Sequence, residues 1–129
     1  MHDNQIFRIA LITAVLGIAG MILFSNQIIP QEVKIKDITK SHIGEDLCIE
    51  GLIRTIESHP NGLYILSVVD GTGEIKVVIY SQLNDEFNRQ GTSISSFENR
   101  RAKIVGRVNE YKGNIQLIME DTKSIKITS

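Results

Sequence analysis

The chain is poor in the residues that build covalent cross-links and metal sites. Its 129 residues include one cysteine, Cys48. A single cysteine excludes an internal disulfide and every CxxC type of metal site. The simplest interpretation of Cys48 is a small buried or half-buried apolar side chain in a strand. With 42% hydrophobic and 22% charged residues, the chain has room for one small globular domain and one appended element.

The chain also lacks tryptophan and an excess of positive charge. It has 14 basic against 15 acidic side chains, for a formal net charge of −1. Proteins that are drawn to nucleic acid by their overall electrostatic field carry a basic excess. The charge balance therefore counts against a nucleic-acid-binding function.

Catalytic motifs are absent from the sequence as well. The three histidines, His2, His42 and His59, are isolated, and no carboxylate pair, HExxH, GxSxG or phosphate-binding loop occurs. The GTGE stretch lies in a hairpin turn, and no helix follows it to supply the amide groups that bind phosphate. We predict that the chain is not an enzyme and has no metal or cofactor.

The longest apolar run lies near the amino terminus. From residue 9 to residue 24 the sequence IALITAVLGIAGMILF carries no charge, and Pro30 ends the apolar segment. A helix over residues 6–29 is long enough to cross a hydrocarbon core of about 30 Å. We predict a single N-terminal transmembrane helix within residues 1–30, in contact with the lipid bilayer, and a domain at 31–129 on the exterior side. A cleaved signal peptide is the main alternative, although no small-x-small cleavage site follows Phe24.

Alternating apolar residues after this segment predict β-strands. We expect strands at residues 46–57, 64–69, 74–80, 102–110 and 115–120, and residues 124–128 extend the last strand after a bend. Ser81 is the predicted N-cap of a short helix that ends near Gly91. Gly51 and Gly106 allow the first and fourth strands to bend. One short helix between strands three and four of an all-β chain predicts a five-stranded Greek-key barrel, the OB-fold.

Four stretches resemble a known family. GEDLCIEGLI, LSVVDGTGEIKVVIY, KIVGRV and YKGNIQLIMED are similar to nucleic-acid-binding OB domains of the anticodon-binding and replication protein A type. The resemblance covers about residues 33–128. It implies binding of single-stranded DNA or RNA across the outer face of strands two and three, between the loops that join strands one to two and four to five.

The resemblance also implies a set of binding residues. Carried over by position, the nucleic-acid-binding residues are Arg54, Ser67, Lys76, Tyr80, Arg107, Tyr111 and Lys112. Single-strand binders use aromatic platforms, and this face offers only Tyr80 and Tyr111. We therefore expect modest, salt-sensitive affinity.

Other interpretations remain open at this point. Arg54, Lys76 and Arg107 are equally explained as cross-strand partners of Glu50 and Glu120. The barrel is also explained as an interaction module that docks on a membrane protein, or as an accessory subunit of a membrane complex. A haem chaperone of cytochrome c maturation has a similar outline, but its haem-carrying histidine has no counterpart in DTKSIKITS, the segment after Glu120.

Overall fold

The computed structural model describes residues 30–129, which form a mostly β, OB-fold-like sheet with one short α-helix. The strands are β1 (Asp46–Ser58), β2 (Tyr64–Val69), β3 (Glu74–Ile79), β4 (Arg101–Tyr111), β5 (Asn114–Ile118) and β6 (Ile125–Ile127). The helix α1 (Ser81–Arg89) follows β3, and 3₁₀ turns lie at Ile35–Asp37, Lys40–His42, Ile94–Phe97 and Thr122–Ser124. The predicted OB-like fold class, with its helix between the third and fourth strands, is confirmed.

The predicted localisation as a single-pass membrane protein, with an exterior domain and a bilayer partner, is corrected. Across residues 30–129, no helix is both long enough and apolar enough to cross a membrane. The segment that carried the prediction, residues 6–29, lies outside the described residues.

The strands pair in the order β1-β2-β3-β5-β4-β6, and β4 also pairs with β1. All these pairs are antiparallel except β3 with β5, which run parallel. Strand β1 occupies one edge of β4 along residues 101–107, and β5 and β6 share the other edge. The predicted extension of the fifth strand after a bend is a separate short strand, β6, which follows the 3₁₀ turn at Thr122–Ser124 and pairs with residues 102–104 of β4.

Strand β1 serves two neighbours in turn, and Gly51 lies where it changes partner. Residues 46–52 pair with β4, and residues 52–58 pair with β2. A Cβ atom at residue 51 would lie only 2.5 Å from the carbonyl oxygen of Val69 and 3.0 Å from a methyl carbon of Val68. Only glycine lets the backbones of β1 and β2 approach so closely at this bend.

The inward-facing residues of the strands build one apolar core. Its largest fully buried side chains are Ile49, Ile53, Leu66, Val68, Val77, Ile79, Ile94, Ile104, Val108, Leu117 and Met119. Leu83 and Phe87 of α1 add to this core, and the Phe87 ring meets Phe97 edge to face at 5.7 Å between centroids. Ile35 and Ile38, from the segment before β1, belong to the same cluster.

Cys48 is buried although it lies on the outward side of β1. The segment before β1 pairs with it, since Cys48 N–H donates to the Gln31 carbonyl and Val33 N–H donates to the Cys48 carbonyl, each at 2.9 Å. Burial, together with the nearby Glu32 carboxylate, raises the pKa of the Cys48 thiol. Cys48 is therefore an inert apolar side chain at neutral pH, in line with its predicted role.

The helix begins one residue earlier than predicted. Ser81 is the first helical residue, and Tyr80 occupies the N-cap position without a side-chain capping bond. The amide groups of Leu83 and Asn84 both donate to the Tyr80 carbonyl at 3.0 Å. The Tyr80 side chain therefore makes no capping bond, and it lies directly after the end of β3, two residues beyond Val78 of the outer face.

We expect Gly51→Ala to lower the free energy of unfolding by about 2–3 kcal/mol, because the added methyl group overlaps a backbone carbonyl that cannot rotate away. Urea denaturation measures the change. Gly91→Ala is the control, since Gly91 has φ +79° and no atom within 4 Å of the added group. Its cost of about 1 kcal/mol reports backbone strain alone. An equal or smaller loss for Gly51→Ala would contradict the close-approach argument.

Candidate nucleic-acid interface

The outer face of the sheet carries an apolar row that crosses three strands. Ile65 on β2 is opposite Val78 on β3, and Val78 is the partner of Ile118 on β5. Arg107 on β4 continues the row, opposite Ile118. Val78 is 5% exposed, and Ile65 and Ile118 are half-buried. Since Val78 is nearly covered, Ile65 and Ile118 supply the accessible aliphatic surface on which a flat base can pack.

A polar row runs beside the apolar row on the same face. Ser67 is opposite Lys76, Lys76 is the partner of Gln116, and Gln116 is opposite Asn109. Lys76 is exposed, whereas Gln116 and Asn109 are half-buried. The row therefore presents one cation and two amides within reach of a ligand on the apolar row. Gln116 and Asn109 were not among the predicted site residues, although the alternation in β5 and β4 places them on this face.

Ser67 is less accessible than its predicted role requires. Its side chain is 5% exposed, and its hydroxyl donates a hydrogen bond to the carboxylate of Glu74. Glu74 is the partner of Val69, so the bond runs diagonally between β2 and β3. A ligand that used Ser67 would have to displace Glu74.

The three predicted cations of the strands lie in different environments. Arg107 Nε lies 3.4 Å from an Asp46 oxygen and 3.3 Å from a Glu120 oxygen, so two carboxylates offset its charge. Arg107 is therefore an ion-pair partner of Glu120, as one of the two interpretations of this residue predicted. Within residues 30–129, Arg54 and Lys76 make no salt bridge. Arg54 is exposed at an irregularity of β1, where the register shifts between Ile53 and Thr55.

Tyr111 and Lys112 form the tip of the hairpin between β4 and β5. Tyr111 is 59% exposed, and the Lys112 ammonium lies 5.4 Å from the centroid of its ring. Lys112 has φ +52° and Gly113 has φ +83°. Two positive φ values define a type I′ turn, which favours Asn-Gly and disfavours lysine at its first position. The turn holds a cation and an aromatic ring in solvent at a cost in backbone strain.

The two loops predicted to flank the ligand lie at opposite ends of β3. Tyr64 pairs with Ile79, and a Cβ at Gly62 would lie 3.2 Å from Ser81 Cβ, so the loop of residues 59–63 adjoins the start of α1. Parallel pairing of Lys76 with Gln116 places the turn of residues 112–113 near the start of β3. Tyr80 and Tyr111 are thus separated by about 20 Å, the length of about six strand residues.

A cleft of about 490 Å³ lies at the Tyr80 end of the face, and one of about 570 Å³ lies at the Tyr111 end. The second cleft is lined by Lys40 and Lys76 together with Glu74 and Asn114. Lys40, which also lies 3.6 Å from Glu110, adds a second cation to this end. No periodicity or motif in the sequence relates residues 40 and 76, so their proximity is visible only in the structure.

Asp70 holds the turn between β2 and β3 in place. Its carboxylate accepts hydrogen bonds from the amide groups of Ile35 (2.9 Å), Thr72 (2.8 Å) and Gly73 (3.2 Å), and from the Thr72 hydroxyl (2.6 Å). Partial desolvation raises the pKa of Asp70, but these hydrogen bonds together outweigh it, so the pKa is lowered. The turn is thereby tied to the segment before β1, which lines the cleft at the Tyr111 end.

The described part of the chain contains no candidate metal-binding site. Across residues 30–129, no group of three or more His, Cys, Asp or Glu side chains is arranged to hold a metal ion.

Comparison with known proteins identifies the family. Residues 47–125 match the family model of the anticodon-binding type, described as an OB-fold nucleic acid binding domain. The match covers more than half of the 129 residues. The chain therefore belongs to the OB-fold nucleic-acid-binding domain family. A comparison with curated proteins found no match.

Solved structures share the fold at low identity. An OB domain from Methanosarcina mazei matches with a TM-score of 0.61 and 19% identity, over 79% of this chain and 87% of that one. The Stn1-Ten1 complex of S. pombe matches with a TM-score of 0.53 and 23% identity, over 64% of this chain and 57% of that one. Asparaginyl-tRNA synthetase from Entamoeba histolytica matches with a TM-score of 0.58 and 17% identity, over 78% of this chain and 24% of that one.

We expect Asp70→Asn to lower the free energy of unfolding at pH 7 by about 1–2 kcal/mol, because it removes a charge that accepts four hydrogen bonds. Since the folded-state pKa is lowered, the stabilisation is fully present above the unfolded-state pKa of about 3.9 and is lost as the pH falls through the folded-state pKa. The free energies of unfolding of wild type and variant should therefore approach each other as the pH is lowered. Urea denaturation at pH 7 and pH 3 checks this, with the exposed Asp85→Asn as control. A difference that persists undiminished at pH 3 would contradict it.

Proposed function

We propose that this chain binds single-stranded DNA or RNA across the outer face of β2, β3 and β5 and catalyses no reaction. The binding unit is the segment of residues 31–129. Family membership supports the ligand class, since the matched model is that of a nucleic-acid-binding OB-fold domain. The observation that carries the proposal is the strained hairpin tip, where Lys112 and the exposed ring of Tyr111 are held together in solvent.

The apolar row and the polar row suggest a path for the bound nucleic-acid strand. Bases pack on Ile65 and Ile118, on either side of the buried Val78, while the phosphates face Lys76 and the amide groups of the polar row. Tyr80 and Tyr111 supply a ring at each end, and each stacked base contributes about 1–3 kcal/mol. Arg54, Ser67 and Arg107 are placed at the margins of this path, because Arg54 lies on the β1 side, Ser67 is covered and Arg107 is paired.

A protein-binding function is the second candidate. It is favoured by the apolar row and by the two carboxylates that offset Arg107, since both features suit a protein surface as well as a base. The S. pombe structure is a complex of two proteins. Another structure with the same fold is an OBody bound to hen egg-white lysozyme. It matches with a TM-score of 0.58 and 17% identity, over 79% of this chain and 98% of that one. Salt separates the two functions, because phosphate binding weakens steeply with salt and apolar docking does not.

We expect Lys76→Ala to weaken binding of a labelled 12-residue oligo-dT and oligo-U several-fold at about 50 mM salt, and to flatten the slope of log K against log salt by about 0.7, the value for one phosphate contact on a single strand. Fluorescence anisotropy with the purified full-length chain, at about 50 and 200 mM salt, measures both. Lys126→Ala, at the exposed position of strand β6 on the far side of β4 from β1, is the matched control.

The proposal is supported if binding is salt-sensitive, if Lys76→Ala weakens it and if Lys126→Ala leaves it unchanged. The oligomer that binds more tightly then shows whether the chain prefers DNA or RNA. No binding of either oligomer at low salt would remove the nucleic-acid function and leave protein binding.

We expect Lys112→Asn to stabilise the fold while it weakens oligonucleotide binding. Asparagine followed by Gly113 suits the type I′ turn, so the free energy of unfolding should rise by about 0.5–1 kcal/mol. Loss of the ammonium should weaken oligo-dT binding several-fold. Thermal denaturation and anisotropy on the same protein sample test the two effects together. A variant that is stabilised and still binds with wild-type affinity would show that the strained lysine has no role in binding.

A further inference from the structure

The cleft at the Tyr80 end is built differently from the rest of the face. Tyr80, which is 47% exposed, forms one wall of this cleft of about 490 Å³, and Leu83, Ile118 and Met119 form an apolar floor. Because Ile118 also ends the apolar row of the outer face, the cleft continues the path along which the bases are proposed to lie. A flat aromatic ring fits an aliphatic floor and one aromatic wall.

The rim of the cleft carries two carboxylates. Glu86 and Glu120 are both exposed there, together with Gln82 and Arg89. Glu120 is already paired with Arg107, whereas Glu86 has no ion-pair partner within residues 30–129. Carboxylates accept hydrogen bonds and cannot donate them, so Glu86 favours a base that offers N–H donors to it, whereas Gln82 and Arg89 can donate to the carbonyl oxygens of several bases.

The hydrogen-bonding groups of the bases decide which nucleotide the cleft favours. Cytosine, adenine and guanine each carry an exocyclic amino group, which a carboxylate accepts. Thymine and uracil present carbonyl oxygens at the corresponding positions, which a carboxylate at Glu86 disfavours, and their one ring N–H lies between two such oxygens. Arg89 disfavours a lysine or arginine side chain of a protein partner in the same cleft, because like charges at short range raise the energy.

We infer that the cleft between α1 and β5 is a base-selective subsite, which admits one nucleotide with an exocyclic amino group in preference to thymine or uracil, with Glu86 as the selecting residue. The inference rests on the proposed binding of single strands. It adds a specificity that the aliphatic row alone does not supply, since every base has an apolar face.

The test is a competition experiment on the full-length chain. A labelled 12-residue oligo-dT is displaced by unlabelled 12-mers that carry a single dC or dG at successive positions in a dT background. We expect at least one register to compete about five- to tenfold better than unsubstituted oligo-dT, the range of one specific carboxylate contact. Glu86→Gln should reduce this preference to less than about twofold, because an amide both donates and accepts.

Asp85→Asn is the matched control, since it removes a carboxylate from the neighbouring exposed position of α1 without lining the cleft. It should keep the preference in full. Tyr80→Leu is a second variant that should also reduce the preference, because it removes the wall against which the base is held. Far-UV circular dichroism confirms that each variant is folded.

The outcomes are distinct. Equal competition by all 12-mers would overturn the base-selective subsite and leave the proposed function standing. A preference that survives in Glu86→Gln would also overturn it, since the selecting group would then lie elsewhere. Failure of every 12-mer to bind would overturn the proposed function, and the subsite with it.

Discussion

The arrangement depends on the close approach of β1 and β2 at Gly51. One strand must serve β4 with its first half and β2 with its second, and it can do so only by bending where a side chain would meet the Val69 carbonyl. Without this bend, β4 and β2 could not both pair with β1, and the outer face of β2, β3 and β5 would lose its curvature. The candidate interface therefore depends on a backbone contact at its own edge, between β1 and β2.

The electrostatics of the face explain why a family member can be nearly neutral. Arg107 is offset by Asp46 and Glu120, and Glu74 is held by Ser67. Among residues 30–129, the candidate site cations without an ion-pair partner are Lys76, Lys112 at the hairpin tip and Arg54 at the β1 margin, while the middle of the face is aliphatic. Such a surface has little long-range attraction for a polyanion, so the proposed binding would draw its affinity from contacts at short range.

Alternation in the sequence was enough to predict β1 to β5 and the side that their residues face, because inward positions such as Leu66 and Val77 are apolar. The short strand β6 was expected only as an extension of the fifth strand. It could not predict contacts that join distant residues. The ion pair of Arg107 with Asp46 spans 61 positions, and Lys40 reaches the cleft beside Lys76 from a segment without periodicity. The helix start was missed by one residue, since Ser81 has a capping residue's chemistry but makes no capping bond. The apolar run near the amino terminus predicted a membrane span, which the described residues do not contain.

The separation of the two tyrosines along β3 has a consequence for ligand length. Each end of the face offers a ring and a cleft, and the rings lie about 20 Å apart. In the proposed mode of binding, a very short oligomer would engage one end at a time and gain nothing from the other. An oligomer long enough to reach both binds its second end as an intramolecular event, at a high effective concentration set by the few nucleotides between. The same modest contacts can then discriminate between a free nucleotide and a continuous strand, by avidity instead of by the strength of any one contact.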